Sequence, residues 1–97
     1  MRKFLLFAPA LFAACSTSPA PIPVHGVTPG HKCEQAGTDQ FIGKRGTSES
    51  GAAIKRVSHA AVLRWAPPGV MLTMDYREDR VTVWLDAAKT ITKIRCG

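Results

Sequence analysis

The chain has no apolar run long enough to cross a bilayer, no CxxC pair, no histidine pair at metal-ligand spacing and no internal repeat. Its basic residues are scattered without a Lys/Arg stripe, and there is no set of aromatics to stack bases, so nucleic-acid binding is disfavoured. Nor does it hold a nucleophile, base and orienter in recognisable arrangement. Ser58 and His59 are neighbours, as are Glu78 and Asp79, but a domain this small has little room for an enclosed pocket, so no enzyme, cofactor or metal is expected. The net charge of +6 falls to about +4 once Arg2 and Lys3 leave with the export signal described next.

What is present begins with a compartment. Met1, Arg2 and Lys3 form a basic start, and the apolar stretch from Phe4 to Ala14 is too short for a membrane span but fits an export signal over residues 1–14. The junction Phe12, Ala13, Ala14, Cys15 resembles the lipobox of bacterial lipoproteins, with Phe12 where leucine is usual. Lipidation of Cys15, and with it membrane attachment, is the expectation. Ser16 in place of aspartate generally favours the outer membrane in such lipoproteins, so the periplasmic face of that membrane is expected, or a periplasmic or secreted protein if Cys15 is not lipidated.

With Cys15 taken by lipid, Cys33 and Cys96 remain, and two cysteines in an oxidising envelope suggest one disulfide; a metal site is the weaker alternative. They bracket a region that is short of core for its size, where a covalent staple is worth most. Residues 15–32 are rich in Ser, Thr, Pro, Gly and Ala, with Pro19, Pro21, Pro23 and Pro29, and read as a semi-rigid tether reaching roughly 50 Å at about 3.1 Å per residue. His25 and His31 lie within it and are expected to be solvated. The folded domain is then 33–97, and a monomer is expected.

Inside the domain, Thr47 or Ser48 can cap a helix, and Ala53, Ile54, Val57 and Ala60 or Ala61 recur at helical spacing, which predicts one helix over 47–58 with Gly51 as a weak point in its first turn. Ala61 to Arg64 is strand-like, and the run from Trp65 through Pro67, Pro68 and Gly69 reads as a break. From Arg80 to Asp86 the alternation is clean, with Val81, Val83 and Leu85 on one face and Arg80, Thr82 and Trp84 on the other: a half-buried strand. Residues 91–96 form a last strand after a turn. Arg80 and Thr82 then face away from the helix and lie beneath the segment 69–79, where a cation can meet Asp75 and hold the loop in shape.

The run Leu72, Thr73, Met74, Asp75, Tyr76, Arg77, Glu78, Asp79, Arg80, Val81 closely resembles the reactive loop and following strand of potato inhibitor I-type serine peptidase inhibitors, and in particular the bacterial and fungal branch, peptidase inhibitor family I-seventy-eight. Phe41, Ile42, Gly43, Lys44 before the helix, Val62, Leu63, Arg64 before the loop and the ending Ile94, Arg95, Cys96, Gly97 extend the resemblance over nearly all of 33–97. It implies an α+β wedge: one helix packed on a small mixed parallel/antiparallel sheet, with a long exposed reactive loop joining two parallel strands. It also implies a scissile bond between Met74 and Asp75, with Leu72 and Thr73 before it and Tyr76 after it. Arg80 would be the loop support, and a Cys33–Cys96 bridge is common in this branch.

The expected partner is a subtilisin-, chymotrypsin- or elastase-like serine peptidase. A small envelope lipoprotein binding something else, such as a lysozyme or an assembly partner, is the competing reading. Two departures from the family pattern are expected to loosen the loop: a longer lead-in at Trp65 to Pro68, and Thr82 where plant members carry a second supporting arginine. By composition alone Met71, Leu72 and Met74 would belong to a core; in register with the loop motif they are expected in solvent. Arg77 and Glu78 are expected to be solvated charges.

Overall fold

The computed structural model describes residues 24–97, so the expected signal over 1–14, the lipidation site Cys15 and the first part of the tether lie outside the described residues. A single 3-10 turn at Thr38–Phe41 leads to helix α1 at Ser48–Ser58, followed by strands β1 at Val62–Ala66, β2 at Arg80–Leu85 and β3 at Ile91–Cys96. The sheet order is β1-β2-β3, with β1 and β2 parallel and β2 and β3 antiparallel. This is the α+β arrangement expected, one helix on a small mixed sheet.

The helix begins where its capping chemistry dictates. Thr47 sits outside it in extended conformation, its hydroxyl accepts from the Ser50 amide at 3.1 Å, and the Ser50 hydroxyl accepts from the Thr47 amide at 2.8 Å, so two orphan donors of the first turn are satisfied reciprocally. The buried face carries Gly51, Ile54 and Ser58, with Ala53 and Val57 packed at its margin. They meet Val81 and Val83 of β2, Ile91 and Ile94 of β3, and Phe41 from the 3-10 turn. Ile54, Val81 and Val83 retain no exposed surface, and each such side chain is worth about 1.5–3 kcal/mol by burial.

β1 is longer than the sequence reading allows. Trp65 and Ala66 pair with Val83 and Trp84 as regular strand residues, so the break begins at Pro67. Leu63 and Trp65 share the helix-facing side with Val81 and Val83, and the Trp65 ring fills the gap beside Gly51 and Gly46. This explains the glycine in the first helical turn. A Cβ at Gly51 would lie 2.8 Å from Trp65 Cζ2. Alanine there gains about 1 kcal/mol of helix propensity but overpacks against the ring, a cost of about 1–3 kcal/mol. Gly51→Ala is therefore expected to lower stability by about 1 kcal/mol in denaturant unfolding; a gain in stability would show that the helix and β1 do not close on each other there.

Cys33 and Cys96 are bonded, with Cα atoms 5.5 Å apart and a sequence separation of 63. In the chain-entropy view a closure of this length stabilises by about 4 kcal/mol. The same corner is stitched by Gln35, whose side-chain amide donates to the Ile94 carbonyl at 2.5 Å and accepts from the Cys96 amide at 3.1 Å, and by the Cys33 amide donating to the Glu78 carbonyl at 2.7 Å. The start of the domain is thus fixed to both the end of β3 and the end of the long β1–β2 connection.

Candidate functional site

Two parallel neighbours are ordinarily joined by a helical crossover. Here residues 67–79 connect β1 to β2 without helix or strand, turning at Pro67–Val70 and again at residues 78–79 just before Arg80. At its far side Met74 is 98% exposed and Met71 93%, while Tyr76 is 69% exposed and Leu72 half-buried. A methionine so exposed buries nothing, and its neighbours explain why it stays there.

Arg80, on the first residue of β2, is buried beneath the loop. Its Nη2 donates to the Asp75 carbonyl at 2.8 Å and its Nε to the Gly97 carbonyl at 3.2 Å, while Nη1 lies 3.7 Å from the Asp75 carboxylate. The short contact of the expected cation is therefore with the loop backbone, and the carboxylate contact is secondary. Thr82 donates its hydroxyl to the same Gly97 carbonyl at 3.0 Å. β2 is consequently covered on both faces, with Arg80 at 7% and Thr82 at 1% exposure, where alternation alone reads as a half-buried strand. The chain end supplies the second cover: Gly97 lies over Arg80 and Thr82, and the Tyr76 ring packs so closely that a Cβ at Gly97 would lie 3.1 Å from it.

The position expected to lack a second support has one from the adjacent strand. Arg64 stands opposite Thr82 in the β1–β2 register; its Nε donates to the Thr82 hydroxyl at 3.2 Å and its Nη1 to the Thr73 hydroxyl at 3.0 Å. Thr73 is thereby tied from one side of the Met74 peptide and Asp75 from the other. Burial, and then the neighbouring Arg80 charge, lower the Arg64 pKa. The Asp75 carboxyl is held well below the usual carboxylate range, first by the Thr73 hydroxyl and then by His25, whose Nε2–H donates to it at 2.9 Å.

Residues 24–32 do not stand clear as a tether. His25 reaches Asp75, the Gly26 carbonyl accepts from the Asp79 amide at 3.0 Å, the Thr28 hydroxyl donates to the Asp79 carboxylate, and His31 Nδ1–H donates to the His59 carbonyl at 3.2 Å. Composition marks this stretch as unable to form a core, which it does not; it is held by polar contacts instead. Arg77 likewise departs from expectation. Rather than standing in solvent, it grips the fully buried Asp79 with Nε at 3.0 Å and Nη2 at 3.1 Å. Asp79 in turn accepts the Ala61 and Val62 amides on its carbonyl and so joins the loop's end to the start of β1.

Arg77, and then Thr28, bring the Asp79 pKa from 3.8 down to about 2. A carboxyl that is more acidic folded than unfolded contributes its stability above the ordinary value and loses it as pH falls through the folded one. Unfolding free energy is therefore expected to drop between pH 4 and pH 2, and Asp79→Asn to flatten that part of the profile in denaturant titrations. An unchanged acid slope in the variant would assign the loss to other groups.

A solved structure of an elastase inhibitor, AFUEI, is similar in fold at 23% identity and a TM-score of 0.50, with the match covering 62% of this chain and 82% of that one. No curated protein gives a significant match. Residues 33–97 match the family model for peptidase inhibitors of the I78 family, a span running from Cys33 through the helix, the loop and all three strands to Gly97. The chain belongs to the peptidase inhibitor I78 family.

Proposed function

We propose that the protein inhibits a serine peptidase by offering Leu72 to Tyr76 to the active site as a substrate would, with the Met74–Asp75 bond across the catalytic serine and Met74 in the primary specificity pocket. The observation that carries this reading is the contrast within three residues: Met74 is 98% exposed, while Thr73 and Asp75 on either side are bonded to Arg64 and Arg80. A loop held extended has little conformational entropy left to lose on docking, so contact energy appears as affinity.

If the serine attacks the Met74 carbonyl carbon, an acyl ester forms and the Asp75 amine leaves with a proton. Held at Arg80, that amine stays beside the ester and re-forms the peptide bond by aminolysis, releasing the serine. Net hydrolysis is slow because water must compete with a tethered nucleophile.

Met74 is long and uncharged, which favours subtilisin-, chymotrypsin- or elastase-like enzymes. The protein acts as a monomer. Export and lipidation at Cys15 would place it at the periplasmic face of the outer membrane, and Cys15→Ser is expected to release it from the membrane fraction. The reading is tested by assaying the purified protein against subtilisin-like, elastase-like, chymotrypsin-like and trypsin-like peptidases and mapping any cleavage by mass. Inhibition of the first three with slow scission at Met74–Asp75 is expected. Failure to inhibit any of them, or scission elsewhere, would return the protein to the reading of an envelope lipoprotein with another partner.

A further inference from the structure

The segment before Cys33 lies outside the family match, yet it makes the contacts that close the loop's second half. Three alternate loop positions on the Asp75 side of the Met74–Asp75 bond, Asp75, Arg77 and Asp79, depend on it. His25 bonds the Asp75 carboxylate at 2.9 Å, Gly26 lies against Arg77, and Thr28 bonds the Asp79 carboxylate, whose amide is taken by the Gly26 carbonyl at 3.0 Å. Asp79 is fully buried, so without the segment its amide loses that partner and its carboxylate loses the Thr28 hydroxyl, leaving Arg77 as its side-chain partner among the described residues. Gly26 is needed for the approach. Its φ of +80° is left-handed, and a Cβ there would lie 3.0 Å from Arg77 Cα and 3.1 Å from Arg77 Cβ. Backbone against backbone at that distance leaves no room for any side chain.

We propose that residues 25–28 are a clasp that positions the leaving-side half of the reactive loop and keeps the Asp75 amine beside the acyl carbon. The inference rests on the loop reading above and adds a support that the domain 33–97 does not contain. Arg64 and Arg80 hold the loop from beneath, through the sheet. The clasp holds it through the segment that precedes Cys33, at Asp75, Arg77 and Asp79. Its loss should change how long the bond survives more than how well Met74 fits a pocket, because Met74 makes no contact with it among the described hydrogen bonds.

The test uses the full mature chain and three variants. Gly26→Ala pries the segment from Arg77, Thr28→Val removes the hydroxyl from Asp79, and Thr28→Ser restores it. Far-UV circular dichroism and melting establish that each variant is folded. With a peptidase that the parent protein inhibits, Gly26→Ala and Thr28→Val are expected to inhibit at first but to be hydrolysed at Met74–Asp75 about tenfold faster, with Thr28→Ser close to the parent. Hydrogen exchange on the free protein is expected to show faster exchange at the Asp79 amide, which donates to the Gly26 carbonyl, in the first two variants only.

Parent-like hydrolysis and exchange in folded Gly26→Ala and Thr28→Val would overturn the clasp while leaving the loop reading intact. Should either variant fail to fold, exchange and hydrolysis in His25→Ala, which removes an exposed contact only, decide in the same way. A parent that inhibits no peptidase would sink the loop reading and the clasp's role in inhibition with it; unprotected Asp79 in that parent would remove the clasp as structure too.

Discussion

Arg80→Ala is expected to weaken inhibition of every target by about 100-fold and to speed cleavage between Met74 and Asp75. The guanidinium is 8% exposed and donates to two carbonyls, Asp75 at 2.8 Å and Gly97 at 3.2 Å. Hydrogen bonds from a charged donor contribute about 1.5–3 kcal/mol each when their alternative is an unpaired group, so losing the bond to Asp75 alone approaches the stated factor. The loss also reaches stability, since a buried side chain is replaced by a void under the loop; about 2–3 kcal/mol is expected in denaturant unfolding.

Two controls separate the role of Arg80 from that of the ion pair. Asp75→Asn removes the carboxylate charge, which lies 3.7 Å from Arg80, but keeps the carbonyl that takes the short bond. At 3.7 Å the carboxylate contact is long and open to solvent on the Asp75 side, so this variant should lose far less than Arg80→Ala. Arg64→Ala should fall between them, because it releases Thr73 but leaves Asp75 fixed. Should Asp75→Asn cost as much as Arg80→Ala in slow-binding inhibition assays, the strut would be electrostatic and the backbone bond incidental.

The ranking of these variants shows what the sequence could and could not reveal. Arg80 beneath the loop was legible from alternation, since Val81 and Val83 fix the helix-facing side of β2 and so place Arg80 and Thr82 on the other. The helix was legible from its cap and from Ile54. Arg64 was not, because its role depends on the register Arg64↔Thr82 between strands joined by a long connection, and nothing local in the sequence sets that register. Once the register is known, a guanidinium on β1 opposite a threonine on β2 reaches the loop at Thr73. The chain Arg64 Nε to Thr82 hydroxyl to Gly97 carbonyl then meets Arg80 from the opposite side.

The contacts of residues 25–31 are hidden in the sequence for a different reason. Pattern methods detect apolar periodicity, and this segment is held by a glycine carbonyl, a threonine hydroxyl and histidine rings, none of which leaves a period. Arg77 and Asp79 carried a weak signal: two opposite charges two positions apart in a loop can chelate each other, but only burial, here complete for Asp79, gives that pair weight. Pro67 and Pro68 mark a break near Trp65, but proline constrains the residue just before it toward extended conformation and so is compatible with a strand ending at Ala66.

Met74→Lys is expected to redirect inhibition without touching the fold. At 98% exposure the side chain contributes nothing to the core, and no described hydrogen bond involves it, so melting should match the parent protein. The exchange acts only once the side chain enters a pocket. An ammonium placed in an apolar pocket gives up its water without a partner, which costs enough to reduce inhibition of subtilisin-, chymotrypsin- or elastase-like enzymes by about 100-fold or more. In a trypsin-like pocket the same ammonium meets a carboxylate, and inhibition of such enzymes should rise. Neither change requires the loop to move, because Thr73 and Asp75 remain tied to Arg64 and Arg80. Inhibition constants against one enzyme of each kind, measured beside melting curves, decide the matter: a folded Met74→Lys with the parent's spectrum would mean that another residue fills the pocket, and an unfolded one that Met74 holds the domain together in a way its exposure denies.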